Sequence, residues 1–431
     1  MPPLELVKLL IVMAAEECRR GKLEKVMFVD FGKAHLYAPV EGEVFVDLTP
    51  ERYEEGMCAK LLFELYGKRT AANSWEREYT KTLIEAVFSP GRANKCTFYH
   101  AAKGVRIVVH GDDFVVTGSP VGLEFVKKIL SARYPVKVRA VLGPEAGDHK
   151  EATILNRIVR WEDGEISFEA DPKHVKKMLK DMKLTECKPA ITPGTKDERK
   201  QDDKKLTGEK KRMFRSVAAR ANYLAQDRTD IRYATKELCR HMSKPTEDDW
   251  MDLKRLCRYL QGRKGMVLHR ATDNPRPGVI EVLVDSDWAG CPVTRRSTSG
   301  GVMIVFGMRI KGWSTTQKVV ARSSGEAELY AAVRGASEAL GLRSMARELG
   351  WNWTIRMWTD SSACKGTCNR SGFGKMKHLD VETLWLQEVV KNKEVELNKI
   401  AGEENMADLL TKHLSRAVLD RHVAAIGFKD A

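Results

Sequence analysis

Two adjacent carboxylates interrupt an otherwise apolar stretch of the sequence. Asp112 and Asp113 follow a glycine between two valine-rich runs, over residues 108–116. Glycine readily adopts the positive φ angles of tight turns, so the pattern predicts a β-hairpin, and a solvent-exposed turn would account for both acids without any function. Like charges this close also repel, and a divalent cation is the usual way to offset the repulsion. Asp30, at the end of an earlier strand-like run, is the candidate third acid for such a site, which would suit phosphoryl or nucleotidyl transfer.

Four further acids are spread over the last 150 or so residues. Asp285 and Asp360 each end a short apolar run that predicts a β-strand. Glu328 falls early in a long predicted helix, and Asp408 falls in a helix predicted over 403–412. Acids are common in first helical turns and on exposed helix faces, so an ordinary structural role for each remains open at this point.

These acids can lie close together only if the strands that carry them belong to a common sheet and the helices pack against that sheet. Apolar periodicity predicts both kinds of element, in the alternation typical of α/β or α+β domains. The predicted helices cover 4–20, part of 61–88, 123–132, 213–260 with a break at Pro245, 323–349, 384–390 and 403–412. The predicted strands cover 26–29, 44–46, the hairpin at 108–116, 282–284, two runs between 300 and 313, 355–358 and 395–400.

The composition is that of a globular protein whose basic charge favours an anionic partner. Of the 431 residues, 43% are hydrophobic and 31% are charged, which is sufficient for packed cores. Lysine and arginine total 73 against 59 acids, so the formal net charge is +14. That excess favours nucleic acid over a membrane surface, although a basic protein without any such partner would have the same charge. The apolar run 9–15 is too short to cross a bilayer and lacks the basic start of a signal peptide, so we expect neither.

Several short motifs occur in an order found in one family. They are Asp30–Leu36, Leu65–Arg69 with Trp75, His110–Asp113, Phe214–Ser216, Tyr223–Ala225, Met242–Thr246, Leu256–Leu260, Asp287–Gly290 and Arg295–Gly300. On these motifs the chain resembles the reverse transcriptase and RNase H region of copia-type LTR-retrotransposon polyproteins, over essentially its whole length. One short motif would be a weak indication, whereas this many in the right order is a strong one.

The resemblance implies a fold and a domain organisation. It implies an α+β palm-type reverse transcriptase domain with truncated fingers, followed by an α/β RNase H-like domain with a mixed sheet. The implied boundaries are 1–135 for the palm, 136–275 for the thumb and connection region, and 276–431 for the RNase H-like domain. The segment 273–278, rich in proline and turn-forming residues, is the clearest predicted boundary.

In the first half the resemblance implies a polymerase site. Asp30 and Asp112 would hold two Mg²⁺ for nucleotide addition, with Asp113 as a further nearby carboxylate. His35 stands where the family has an aromatic residue under the sugar of the incoming nucleotide, and Thr70 replaces a glutamine of the nucleotide pocket. These departures, with most of the fingers expected to be missing, make DNA synthesis the less favoured activity.

In the second half the resemblance implies a hydrolytic site. Asp285, Glu328, Asp360 and Asp408 would form the RNase H tetrad around two Mg²⁺, for which Mn²⁺ could substitute. Asp285 would bridge both cations, Glu328 and Asp360 would each complete one side, and Asp408 would orient the attacking water. The residues expected to contact substrate are Ser286, Ser361, Arg295, Arg296 and His378.

The function implied is hydrolysis of RNA in RNA–DNA hybrids. Hybrid and primer–template nucleic acid would be the partners, with no membrane, in a cytoplasmic retrotransposon particle or the nucleus. The alternative is a catalytically inactive, nucleic-acid-binding transposon relic. The complete set of acids in the second half argues against that alternative, whereas His35 and Thr70 in the first half favour it.

Overall fold

The computed structural model describes residues 3–196, 204–271, 275–372, 378 and 381–430, and the chain groups into two units. The first unit comprises residues 1–152, 161–164 and 344–351, and the second comprises 153–160, 165–343 and 352–431. This grouping places 165–275 in the same unit as most of 276–431. The division into three domains at residues 135 and 275 therefore stays a prediction.

The first unit is built on a six-stranded sheet with helices packed against it. The sheet has the strand order β4-β5-β6-β7-β1-β8, and a separate two-stranded sheet pairs β2 with β3. The helices are α1 (Leu4–Arg19), α2 (Ala71–Glu85) and α3 (Pro120–Ser131). The strands are β1 (Lys25–Phe31), β2 (Phe45–Val46), β3 (Ala59–Lys60), β4 (Ser89–Pro90), β5 (Thr97–His100), β6 (Val105–His110), β7 (Asp113–Gly118) and β8 (Val136–Leu142).

The predicted hairpin is present as β6 and β7, with Gly111 at a φ of +69° in its turn. β7 pairs antiparallel with β1, and this register sets Asp30 directly opposite Asp113. The helix predicted within 61–88 is shorter, since α2 begins only at Ala71. Trp75, Tyr79 and Leu83, four residues apart, are buried on one face of α2 as their spacing requires.

Most of the remaining elements lie in the second unit. The helices are α4 (Lys173–Asp181), α5 (Gly208–Leu224), α6 (Arg232–Arg240), α7 (Glu247–Gly262), α8 (Ser324–Glu348), α9 (Ser362–Cys368), α10 (Val381–Lys391) and α11 (Arg416–Ala425). The strands are β9 (Glu151–Ile154), β10 (Arg157–Glu162), β11 (Glu165–Ala170), β12 (Met266–Leu268), β13 (Val279–Asp287), β14 (Thr298–Val305), β15 (Met308–Thr316), β16 (Thr354–Thr359), β17 (Glu396–Lys399) and β18 (Phe428–Asp430).

These strands form two five-stranded sheets. One has the order β15-β14-β13-β16-β17, with β13, β14 and β15 antiparallel and β16 parallel to both β13 and β17. It is thus the mixed sheet expected for the second half of the chain. The other sheet has the order β18-β12-β11-β10-β9, so the last strand pairs with one that precedes residue 276.

The helix predicted over 403–412 is wrong. This stretch contains two short 3₁₀ turns, Gly402–Glu404 and Met406–Leu410, and the last helix is α11. Asn405 explains the interruption, because its side-chain oxygen accepts a bond from the Ala407 amide while its side-chain amide donates to the carbonyl of Val284 (2.9 Å). An asparagine side chain that satisfies backbone groups in this way competes with continuous helix. None of the helices in the described ranges is long and apolar enough to cross a membrane.

Candidate active site

Three of the predicted acids converge in the second unit. Asp285 lies near the end of β13, Asp360 directly follows β16, and Glu328 lies in the second turn of α8. Within the described part of the chain they form the one group of three or more potential metal ligands, with one ligand atom from each lying within 4.8 Å of the others. Asp285 and Glu328 are 3% and 7% exposed. We call these three residues the acidic triad.

Hydrogen bonds fix the triad and leave one oxygen for a ligand. The backbone amide and the hydroxyl of Ser286 both donate to Glu328 Oε1, each at 3.1 Å. The hydroxyl of Thr411 donates to Asp285 Oδ2. Glu328 Oε2 is buried and accepts no hydrogen bond from the residues that the structure describes. A buried carboxylate oxygen without a partner is costly, so this atom is a candidate ligand for a cation.

The electrostatics of the triad indicate the same need for positive charge. Burial, followed by repulsion from Asp360, raises the pKa of Glu328 to about 7. Burial and the charge of Glu328 raise the pKa of Asp285 well above its ordinary value, and burial and Asp408 raise that of Asp360. Raised values mean that the ionised triad is destabilised unless a cation joins it. Three clustered carboxylates are hard oxygen donors of the kind that Mg²⁺ and Mn²⁺ prefer, so the residues present fit a divalent metal.

Asp408, the fourth predicted acid, is held beside the triad by a lysine. Lys412 Nζ lies 2.6 Å from Asp408 Oδ1 and 3.8 Å from Asp285 Oδ2. Asp408 is not among the three residues whose ligand atoms converge. The lysine thus links Asp408 to the triad and supplies one of the charges that the triad lacks.

The predicted substrate-binding residues of the second half lie in three different settings. Ser361 caps α9, because its hydroxyl accepts a bond from the Cys364 amide (3.1 Å). Arg295 and Arg296 are exposed in a turn in which Arg295 has a φ of +54°. His378 Nε2 lies 2.9 Å from Glu326 Oε2 at the start of α8, whereas its motif neighbours Lys377 and Asp380 fall outside the described residues.

The acids of the first unit are arranged differently. Asp30 and Asp113 face each other across β1 and β7, and the guanidinium of Arg139 contacts both, at 2.8 Å and 3.0 Å. Asp112 is exposed in the hairpin turn. Burial raises the pKa of Asp113, and Arg139 counteracts that shift. The structure therefore pairs two of the three predicted acids through an arginine, and no convergent group among the described residues includes Asp112.

The predicted nucleotide-pocket residues lie between Asp30 and Asp112 in the sequence. His35 lies in the 3₁₀ turn Ala34–Tyr37, and its ring centroid is 4.5 Å from that of Tyr66, which belongs to the Leu-Tyr-Gly motif. Thr70 directly precedes α2. His35 thus contacts the second motif in space, and its role in a nucleotide pocket stays a prediction.

Two basic residues of these sites escaped the sequence analysis. Lys412 follows Asp408 by four residues, a spacing that indicates an ion pair on a helical surface and could have revealed it. Arg139 carried no such signal, because its partners are more than twenty residues away and depend on the register of β8.

Comparisons with known proteins agree on one family. A family model described as reverse transcriptase (RNA-dependent DNA polymerase) matches residues 2–196. The retrovirus-related Pol polyprotein from transposon TNT 1-94 of Nicotiana tabacum is 26% identical over 405 residues, which is 90% of this chain and 30% of the polyprotein. The chain thus spans less than a third of the length of that relative.

Two further matches are an uncharacterised protein and a solved structure. An uncharacterised mitochondrial protein of Arabidopsis thaliana is 31% identical over 246 residues, which cover 54% of this chain and 92% of that protein. Among solved structures, the foamy viral protease–reverse transcriptase in complex with RNA/DNA hybrid matches 88% of this chain and 44% of its own length. Its sequence identity is 12% and its TM-score 0.47.

Proposed function

Because the chain belongs to the family of reverse transcriptase regions from copia-type retrotransposon Pol polyproteins, we propose that it acts on nucleic acid, as a divalent-metal-dependent ribonuclease H. The substrate would be the RNA strand of an RNA–DNA hybrid. The second unit would carry out the hydrolysis on an RNase H-like mixed sheet. The observation that supports this proposal is the acidic triad, in which three separate elements bring the buried Asp285 and Glu328 and the partly exposed Asp360 together.

Each residue of the site has a definable task. Asp285, the most buried of the acids, would hold two divalent cations together with Glu328 and Asp360. When bound, Mg²⁺ or Mn²⁺ would activate a water molecule and stabilise the leaving 3′-oxygen. Ser286 holds Glu328 Oε1 with two hydrogen bonds, which leaves Glu328 Oε2 as the ligand atom. Asp408, kept next to the triad by Lys412, would orient the attacking water.

Substrate recognition would combine charge with contacts to the ribose. The net charge of +14 favours the phosphate backbone, and the exposed Arg295 and Arg296 would make phosphate contacts. RNA differs from DNA by its 2′-hydroxyls, which a protein reads across a wide minor groove. Ser286 and Ser361, next to two of the triad acids in sequence, would read these hydroxyls, and His378 would add a phosphate contact.

The test is cleavage of a labelled RNA strand in a hybrid by the full chain, with Mg²⁺, with Mn²⁺ and with EDTA. Asp360→Asn should abolish cleavage and leave hybrid binding intact. The matched control is Glu403→Gln, which neutralises an exposed acid of the neighbouring 3₁₀ turn and should cleave normally. Hybrid binding without cleavage by the unmodified chain would instead support the inactive, nucleic-acid-binding alternative.

A second candidate function is RNA-directed DNA synthesis by the first unit. It is favoured by the reverse transcriptase family match over residues 2–196 and by the opposition of Asp30 and Asp113 on neighbouring strands. His35 and Thr70 depart from the family pattern in the nucleotide pocket, so this activity would be the weaker one. Primer extension on an RNA template, compared with Asp112→Asn, tests it separately from hybrid cleavage.

A further inference from the structure

A β-bulge aims Arg139 at the acids of the first unit. β8 pairs antiparallel with β1, and the register shifts so that Phe28 faces Ala140 while Val29 faces Val138. Arg139 is the extra residue at this irregularity. Bulges commonly re-aim one side chain, and here the side chain reaches across β1 to β7.

The guanidinium occupies the space between two carboxylates. One terminal nitrogen lies 2.8 Å from Asp30 Oδ1 and the other lies 3.0 Å from Asp113 Oδ1. Directly opposed carboxylates on neighbouring strands repel, and a planar cation with two parallel donors offsets both charges at once. The guanidinium thus occupies one oxygen of each carboxylate and places a positive charge where a divalent cation would otherwise lie between them.

We propose that Arg139 is a built-in counter-ion that competes with divalent metal for Asp30, so that the acids of the first unit bind a cation only when the guanidinium is displaced. The proposal rests on the assignment of Asp30 as a metal ligand and is independent of hybrid cleavage by the second unit. The acidic triad provides the contrast, because Glu328 Oε2 accepts no bond within the described residues and Lys412 approaches Asp285 only to 3.8 Å. The two acidic sites of the chain therefore differ in their readiness for metal.

The loss of metal affinity depends on how often the guanidinium of Arg139 leaves the acids. If the arginine occupies the acids ten times as often as it leaves them, the apparent metal affinity falls about tenfold. Arg139 is 43% exposed, so a guanidinium that leaves the acids can be rehydrated, and the contact can open without unfolding the sheet.

The test measures Mn²⁺ binding to the full chain by the electron paramagnetic resonance of free Mn²⁺. Asp285→Asn and Glu328→Gln form the background, since they remove the triad as a competing site. In this background Arg139→Met, which keeps the aliphatic stem without the charge, should bind one Mn²⁺ about tenfold more tightly than the parent. Adding Asp30→Asn should abolish the gain.

The matched control is Arg133→Met in the same background. Arg133 is also 43% exposed and pairs with an acid, Glu85, that is not part of the site. It should leave Mn²⁺ affinity unchanged. Equal affinities for the parent and Arg139→Met would overturn the proposal, as would a gain that survives Asp30→Asn.

Folding is checked by circular dichroism before binding is measured. Should Arg139→Met not fold without metal, Arg139→Lys keeps the positive charge on a group that cannot bridge both acids in parallel. The Mn²⁺ affinity of Arg139→Lys should then lie between that of the parent and the roughly tenfold higher affinity expected when no side chain competes for Asp30. No change in affinity with Arg139→Lys would likewise contradict the competition.

Discussion

At the scale of single residues, Lys412 is the positive charge that the acids of the second unit share. It contacts Asp408 at 2.6 Å and Asp285 at 3.8 Å. Lys412→Met should lower the free energy of unfolding in EDTA by roughly 1–3 kcal/mol, because Asp408 would lose its ion-pair partner and the buried Asp285 would lose its nearest positive charge.

Urea unfolding in EDTA and in Mg²⁺ measures this effect. The loss should shrink in Mg²⁺, since a divalent cation would replace the missing charge. Lys391→Met, at the exposed end of α10, serves as the control. An equal loss in both buffers would mean that Lys412 acts only as a structural contact.

Glu328 should make the metal-free protein less stable as the pH rises. Burial and Asp360 raise its pKa from 4.5 to about 7, so the folded protein holds a proton that the unfolded chain has already released. The stabilisation is fully present below about pH 4.5 and is lost as the pH rises through about 7. Urea unfolding in EDTA at several pH values should show this decline, and Glu328→Gln should flatten it. An unchanged slope in the variant would contradict the raised pKa.

The sequence allowed us to predict the proximity of acids that lie at the ends of strands. Asp285 and Asp360 end parallel neighbouring strands, and the ends of such strands meet at one edge of a sheet, so their proximity was predictable. Glu328 joined them because it lies early in the crossover helix. Arg139 was not predictable, because a one-residue register shift decides where its side chain points.

At the scale of elements, alanine substitutions at two glycines of α8 should have opposite effects on stability. A Cβ on Gly335 would lie 2.5 Å from Val284 Cγ1 and 3.2 Å from Met357 Sδ, whereas one on Gly341 would meet nothing within 4 Å. Gly335→Ala should force the helix away from β13 and β16 and cost roughly 1–3 kcal/mol. Because α8 carries Glu328, hybrid cleavage should fall as well.

Gly341→Ala is the matched control in the same helix. It should stabilise the protein by roughly 0.5–1 kcal/mol, the usual gain of alanine over glycine in a helix. Thermal melts of both variants, with cleavage rates at one temperature, provide the measurement. Equal stability of the two variants would show that α8 does not pack closely against the sheet at Gly335.

The start of α8 also shows which contacts a local sequence pattern can predict and which it cannot. Ser323 and Glu326 have the residue types and spacing of a reciprocal capping box, and the Ser323 hydroxyl does accept a bond from the Glu326 amide at 3.2 Å. Glu326 instead accepts from the amide of Arg322 and lies next to His378. The cap is local and could be predicted, whereas the second partner of Glu326 comes from more than fifty residues away.

At the scale of the whole molecule, the second unit extends across the boundary predicted near residue 275. β18 pairs with β12, Arg263 pairs with Asp420, and the buried Arg309 donates to the carbonyl of Asp227 at 2.7 Å. The sequence could not reveal these links, because each joins residues separated by 80 or more positions in the chain. Charged and Pro-containing linkers mark where a chain is exposed, and an exposed segment can still connect two parts of one folding unit.

A fragment of residues 276–431 should therefore fold poorly. It would lose the strand that pairs with β18 and the carbonyl that satisfies the buried guanidinium of Arg309. A fragment of residues 153–431 keeps both. We expect a cooperative thermal transition, followed by circular dichroism, for the longer fragment and a broad or absent transition for the shorter one. Similar sharp transitions for both would support the predicted boundary at residue 275.

The pairing of β12 with β18 also governs the order of events during synthesis. Leu268 pairs with Phe428, so about 160 residues must be translated before that pair can form. Until then one edge of β12 is an open template for another chain, which is a known route to aggregation. Contacts this distant in sequence slow folding, since the entropy of closing the loop is lost before the contact contributes. The nascent protein thus depends on β18, only three residues long, to close a sheet whose other four strands were made much earlier, and slower translation of the residues between β12 and β18 would lengthen the time at risk.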